Sequence, residues 1–251
     1  MAHQRSTVTI QGTIGDLTFF KSQDGYMVKA KSTVSKEKIL SDKKFARTRE
    51  NMAEFGRAGK AGKVLRTPFN NLLQQSADNR MVSRLMTKSL EVIHTDTVNK
   101  RGKRVITNGN LLLFEDFEFN IKGILSTTLL APFTVSFTRT TGEVLLDIPS
   151  FIPEQAVAAP QGASHFKLVL AASALDYNLK KNTAQQVASA VLPWDNDTMA
   201  GLNLSVTLPA ASTLPVFVLL QLQFFNLLNG DYYPLQNGAF NACAVVKVDT
   251  P

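Results

Sequence analysis

The order of apolar and polar positions divides the chain into three regimes. In the first forty residues the period is two: Thr7–Ile14, Leu17–Phe20 and Tyr26–Lys31 carry β-branched and aromatic residues, broken by Gly12, Gly15 and the pair Asp24-Gly25. Asp-Gly between such runs signals a hairpin, because glycine supplies the positive φ of a tight turn. A β-hairpin or extended arm is predicted here. An isolated hairpin is marginal in water, so it must pack on its own chain or on a neighbouring subunit.

The period then becomes helical. Ser41–Arg66 holds no proline, with Ser41 and Asp42 as N-cap candidates. Phe45, Met52 and Phe55 form its predicted apolar stripe, beside a row of small residues, Ala53, Gly56, Gly59 and Gly62. Each glycine costs a helix roughly 1 kcal/mol relative to alanine, so three require close backbone approach or an early end. The outer positions are mostly basic. A second piece starts at Thr67-Pro68, with Thr67 as cap and Phe69, Leu72 and Leu73 as its apolar face. A third spans Asn79–His94 with Met81, Val82, Leu85, Met86, Leu90 and Ile93. Together these predict a small helical bundle, closed by the basic, glycine-punctuated loop Asn99–Asn110. The domain boundary is placed there, giving 1–110 and 111–251.

Beyond it alternation returns. Leu111–Ile121 reads as a strand with Phe117, Phe119 and Ile121 on one face and Asp116, Glu118 and Asn120 on the other. Phe133–Arg139 and Val144–Ile148 flank the turn Thr140–Glu143; His165–Tyr177, Gln186–Leu192 and Leu202–Leu208 follow. The last hairpin joins Val216–Leu228 through Asn229-Gly230 to Asp231–Tyr233, with Phe240–Val248 after it. In Val216–Phe225 one face is wholly apolar and the other carries Gln221 and Gln223, which predicts a central strand with one buried face. About seven or eight strands with regular turns predict an antiparallel β-sandwich of immunoglobulin-like or jelly-roll type. The predicted fold class is α+β: an N-terminal β-hairpin or arm and a small helical bundle, then the sandwich.

Charge sharpens this division. Residues 1–110 hold 21 Lys+Arg against 9 Asp+Glu, and residues 111–251 hold 6 against 11, so the halves carry +12 and −5. They attract one another within a chain or between copies. One cysteine, Cys243, excludes an intramolecular disulfide framework. The N-terminus MAHQRSTVTIQG has no apolar core of a secretory signal, and Val216–Leu228 is too short to span a bilayer. The expectation is a soluble chain, cytoplasmic or in a particle released by lysis, with no membrane partner.

No catalytic constellation emerges. Gly56–Val64, GRAGKAGKV, imitates a phosphate-binding loop but lacks the Ser/Thr after Gly62-Lys63 and a preceding strand. His3, His94 and His165 are scattered and have no ligand partners at metal spacing. Cys243 reads as a small buried hydrophobe. Glu115, Asp116 and Glu118 read as a solvated strand face rather than a pair set across a cleft, and Asp195 and Asp197 beside Trp194 as a surface loop anchored by the tryptophan. No cofactor and no metal site is predicted. Lys100, Arg101, Lys103 and Arg104 are candidate polyanion contacts. Arg47, Arg49 and Arg57 have Glu50 and Glu54 within one turn, which ties up part of their charge. Nucleic-acid binding is therefore the weaker reading of the basic half.

Several of these segments, Gly12-Thr13-Ile14-Gly15 with Phe19-Phe20 and Asp24-Gly25-Tyr26, Phe45–Asn51 with Glu54-Phe55, and Phe224-Phe225 with Asn229-Gly230 and Tyr232–Leu235, resemble a group of uncharacterised proteins from Bacteroidetes-type bacteria. These share a glycine-rich N-terminal hairpin, an Arg-rich helix and a β-rich C-terminal half. The resemblance implies the architecture and carries no activity.

The sequence therefore predicts a non-enzymatic structural protein that assembles with copies of itself into a filament, tube, shell or phage-derived tail component. An arm adding a strand to a neighbour would cover both the hairpin and open sandwich edges. Phe19, Phe20, Tyr26, Arg47, Arg49, Arg57, Lys60 and Lys63 are the subunit-interface candidates. The alternative is a binding module or adaptor that recognises a glycan, a partner protein or nucleic acid through the sandwich loops or basic helices.

Overall fold

A computed structural model of the chain describes residues 1–5, 8–178 and 182–251. It divides into two compact units, Met1–Asn51 and Met52–Pro251. The division falls inside a helix rather than after Asn110.

In the first unit, β1 (Ala2–His3), β2 (Gly12–Ile14), β3 (Leu17–Ser22) and β4 (Gly25–Ala30) form an antiparallel sheet in the order β1-β4-β3-β2. The predicted hairpin is thus the centre of a four-stranded sheet; Thr7, where its first run was placed, lies outside the described residues. The β3–β4 turn closes on Gly25 at φ 106°, and the Ser22 hydroxyl accepts the Asp24 N–H. The Gln4 carboxamide holds the segment before β2 by accepting the Ile10 N–H and donating to the Ile10 and Met27 carbonyls.

A short helix α1 (Lys36–Ser41) follows, capped by Ser35. Asp42 does act as a cap, but of a single 3₁₀ turn, Lys43–Phe45. The long helix α2 (Ala46–Arg66) starts after it. Its buried positions are Glu54, Ala58, Ala61, Gly62, Val64 and Leu65. The predicted stripe is not the buried one: Met52 and Phe55 are 56% and 51% exposed. Small side chains at Ala58 and Ala61 let the helix lie close to its neighbours, which the larger residues would prevent.

Thr67 does not cap the next piece; its hydroxyl donates back to the Lys63 carbonyl. Helix α3 (Asn70–Leu73) nonetheless buries Leu72 and Leu73, and α4 (Met81–His94) buries Met81, Leu85, Ser89, Val92 and Ile93. Val82, predicted on the apolar face, is exposed.

Leu111–Ile121 is not a regular strand. Leu111–Phe114 is a 3₁₀ turn capped by Asn110, and Asp116 adopts φ 60°, which no continuous strand accommodates. Phe117 and Phe119 are buried as predicted, while Ile121 is exposed and Asn120 buried. This stretch lies along the last strand through the bonds Phe119 N–H to Cys243 carbonyl and Val245 N–H to Phe117 carbonyl.

After α5 (Leu125–Thr128), strands β5 (Thr134–Thr138) and β6 (Glu143–Ile148) make the predicted hairpin. Helix α6 (Pro153–Ala156) leads to β7 (His165–Leu175), β8 (Asn182–Ala188), β9 (Leu192–Pro193) and β10 (Leu202–Thr207). The chain ends with β11 (Val216–Leu228), β12 (Asp231–Pro234) and β13 (Ala242–Asp249). β10-β6-β5 form one antiparallel sheet; β12-β11-β7-β8 form another, with β13 on β11 and β9 on β7. The fold is mixed helix and sheet, with a curled antiparallel sheet in its C-terminal part.

Two cores lie on the two faces of β11. On one face Val216, Val218, Leu220, Leu222 and Phe224 pack with Val144, Leu146 and Ile148 of β6 and Leu204 and Val206 of β10. On the other, Phe217 and Leu219 pack with Leu65, Phe69, Leu85 and Phe114. Residues on both sides of Asn110 therefore share one core. The predicted wet face of β11 is dry: Gln221 and Gln223 are buried. Their amides are satisfied there, Gln221 donating to the Leu72 carbonyl and Gln223 to the side chains of Gln75 and Gln221.

Candidate functional site

The basic loop is a built structure. Asp96, 2% exposed, accepts the N–H groups of Val98, Asn99 and Val105 and the Asn99 amide. Burial opposes its ionisation, but these donors, Val105 first, outweigh it and bring its pKa down to about 2. The loop is then clasped to α2. Glu54, 1% exposed, accepts the Gly102 N–H at 2.7 Å and lies 3.4 Å from His94 Nε2. Arg57 donates to the Arg104 carbonyl at 2.6 Å and to the Gly102 carbonyl. Lys100, Arg101 and Lys103 stand exposed on this frame. Arg104 is half-buried, and its Nε has no hydrogen-bond partner among the described residues.

Of the other interface candidates, Arg57 thus holds the loop, while Lys60 and Lys63 are exposed. In the first unit Arg47 is exposed, and Arg49 donates to the Ile39 and Asp42 carbonyls, both at 2.8 Å. Its role is to close the turn before α2.

Phe19, Phe20 and Tyr26 sit half-buried in the first unit. Strand register sorts them by face. Phe19 pairs with Val28 and Tyr26 with Lys21, so both share a face with Ile14 and Leu17, which pair with each other. Phe20 lies on the opposite face with Met27. Lysines cover two of the rings, Lys21 above Tyr26 at 5.5 Å and Lys29 above Phe20 at 5.4 Å. Among the described residues of Met1–Asn51 none is buried, and Ile14 and Leu17 are 59% and 46% exposed.

The remaining chemistry resolves into structure. Gly56–Val64 is α-helical throughout, so its N–H groups are engaged and cradle no phosphate. Cys243 is fully buried; burial pushes its thiol up to about 12, against the Ser76 hydrogen bond. Glu115 accepts the Val248 N–H, and Glu118 the Leu125 N–H. Glu118 is not on a solvated face: burial raises its pKa to about 7, Asp116 adding to the rise and the Leu125 N–H and Arg84 opposing it. His165 Nδ1 meets the Ser164 hydroxyl at 2.9 Å, and its ring stacks edge-on with Tyr232. Trp194 donates to the Val157 carbonyl, and the Asp195 carboxylate accepts the Asp197 N–H. Among the described residues, no group of three or more His, Cys, Asp and Glu could hold a metal, and no helix is long and apolar enough to cross a membrane.

Sequence reading missed two features. Glu54 was read as a surface pair for the helix arginines, and nothing local marks it as the anchor of a loop 48 residues away. The second is a buried amide network: Asn241 accepts the Phe224 N–H and donates to the Gln75 carbonyl, and Asn120 donates to the Ala239 and Asn241 carbonyls. Glutamines inside the apolar run of β11 were its signal. Comparison with protein-family models, with curated proteins and with solved structures finds no match.

Proposed function

We propose that this chain is a non-enzymatic structural protein that assembles with copies of itself through its N-terminal sheet. The observation that carries this reading is the face formed by Ile14, Leu17, Phe19, Tyr26 and Val28, apolar by register except for Lys21 over the Tyr26 ring, and not buried. A small sheet gains little stability until such a face is covered. Among the described residues the short strand β2 pairs only with β3, and it offers its outer edge for pairing. In this reading the two sheets of the second unit form a β-sandwich body of immunoglobulin-like or jelly-roll type, and a neighbour's basic sheet is drawn to residues 111–251, which carry a net −5. A head-to-tail contact of this kind builds a ring, tube or filament according to its rotation.

Light scattering of the full chain at two salt concentrations, with negative-stain microscopy, tests it. The expected result is regular particles that loosen with salt, and a monomer after deletion of Met1–Lys31. A monomeric full chain at both salts, or a truncated chain that still assembles, overturns it.

A second reading, a polyanion-binding adaptor, draws on one observation: Lys100, Arg101 and Lys103 stand exposed on a loop fixed by Asp96 and Glu54. It requires retention on a polyanion column that falls steeply with salt, and no retention at low salt removes it.

A further inference from the structure

We propose that the cleft between the turn Leu235–Gly238 and residues 74–80 binds an acidic oligosaccharide. Two cavities, of about 360 and 330 Å³, are both lined by Gln74, Gln75, Asn237 and Gly238. Each reaches the roughly 300–1,000 Å³ of small-molecule sites. The contact they share is tight. Asn241 donates to the Gln75 carbonyl, and a Cβ on Gly238 would lie 2.3 Å from that oxygen. The turn is also strained: Gln236, Asn237 and Gly238 follow one another at φ 45°, 53° and 80°, where side chains are rarely found. Strain of this kind clusters at ligand clamps, and here it leaves Asn237 exposed on both cavities.

The lining selects the ligand. Gln74, Asn79 and Asn237 present exposed carboxamides, each a donor and an acceptor, as a sugar hydroxyl is. Ile121 in one cavity and Pro234 in the other, both exposed, offer apolar surface to the C–H groups of a sugar ring. Arg80 and Lys122 line the first cavity and Lys167 the second. The only carboxylate among the described lining residues, Asp78, is paired with Arg84. Residues 111–251 are acidic overall and hold six Lys and Arg, yet two of these, Lys122 and Lys167, line this cleft. A ligand that carries both hydroxyls and carboxylates answers the carboxamides and the cations together.

Two other polymers fit less well. An extended peptide calls for an open strand edge, and the bordering strand β12 ends in Pro234, which has no N–H to pair. A nucleic-acid strand calls for bare aromatic faces. Of the rings here, Phe224 is buried and Phe225 carries Lys167 over it at 5.4 Å. The site is independent of the assembly reading.

Calorimetric titration of the full-length chain with a galacturonate tetrasaccharide tests this, with maltotetraose and tetraglutamate at equal ionic strength as controls. Saturable heat is expected with the galacturonate, and binding at least tenfold weaker with either control. Asn237→Gly keeps the left-handed backbone and removes the carboxamide. It is expected to weaken the galacturonate about fivefold, the size of one hydrogen bond, without lowering the melting temperature. Lys122→Gln, at an exposed side chain, is expected to weaken it about threefold, and decides the matter if the glycine variant is unstable. These two variants also separate the cleft from the basic loop at Lys100–Arg104 as the place of binding. No saturable heat with the galacturonate, equal binding of maltotetraose or tetraglutamate, or unchanged affinity in Asn237→Gly or Lys122→Gln overturns the proposal.

Discussion

The Glu54 carboxylate accepts the Gly102 N–H at 2.7 Å, joining the inner face of α2 to the tip of the basic loop. With the two Arg57 bonds to the loop carbonyls it sets the loop's conformation. Glu54→Ala leaves the Gly102 donor without its acceptor and is expected to cost about 1–3 kcal/mol. Glu54→Gln keeps an acceptor in place and should cost less. Urea unfolding of both variants checks the order; equal losses would mean that burial of the stem, not the bond, matters.

Glu118 gives stability a dependence on pH. Its ordinary pKa is 4.5 and its folded value about 7, so the folded state holds the proton more tightly. Its contribution is fully present below about 4.5 and is lost as pH rises through about 7. Asp78 and Asp96 act oppositely: both are held below 3.8, so their contribution is lost on acidification. Unfolding measured at pH 5 and pH 8 should show wild type weaker at the higher value and Glu118→Gln nearly level. The same slope in both proteins would assign the alkaline loss elsewhere.

Periodicity located most elements, because alternation and helical spacing are local properties. The hairpins at Gly25, Gly142 and Gly230, all at positive φ, were marked by their turn residues. What failed were judgements about which face is buried. Met52 and Phe55 are apolar but exposed, and Gln221 and Gln223 polar but buried, because those outcomes depend on what packs opposite. Asp116–Ile121 alternates polar and apolar, yet Asp116 at φ 60° breaks the strand. Of the candidate site, the loop cations were legible as a charge run; the Asp96 and Glu54 anchors join residues separated in sequence and were not.

The glycines of α2 are not demanded by close contact. A Cβ on Gly56 would meet nothing within 4 Å, and one on Gly62 only ordinary contacts with Leu85 and Ser89. Gly56→Ala is therefore expected to stabilise the protein by about 0.5–1 kcal/mol. Gly142 is the contrast: at φ 77° its Cβ would lie 2.1 Å from the Leu208 carbonyl oxygen. Gly142→Ala should destabilise by about 2 kcal/mol or more. Thermal melts of the two variants in opposite directions would bear this out; a fall with Gly56→Ala would mean that the exposed flank of α2 is itself a contact surface.

The apolar face of the N-terminal sheet can be changed without touching a core. Ile14 and Leu17 face each other across β2 and β3 and are largely exposed, so replacing both by threonine keeps strand propensity and removes apolar surface. Exposed substitutions of this kind alter folding stability by roughly 0.5 kcal/mol or less. If the face is covered by a second copy, the same change removes buried area at a contact, and the assembled mass should fall towards that of one chain with little change in melting temperature. Threonine on the opposite face, at Met27 beside Phe20, is the control and should leave the mass unchanged. Particles that persist in the Ile14→Thr, Leu17→Thr double variant would place the contact elsewhere. A large drop in melting temperature with no change in mass would mean that this face supports its own chain.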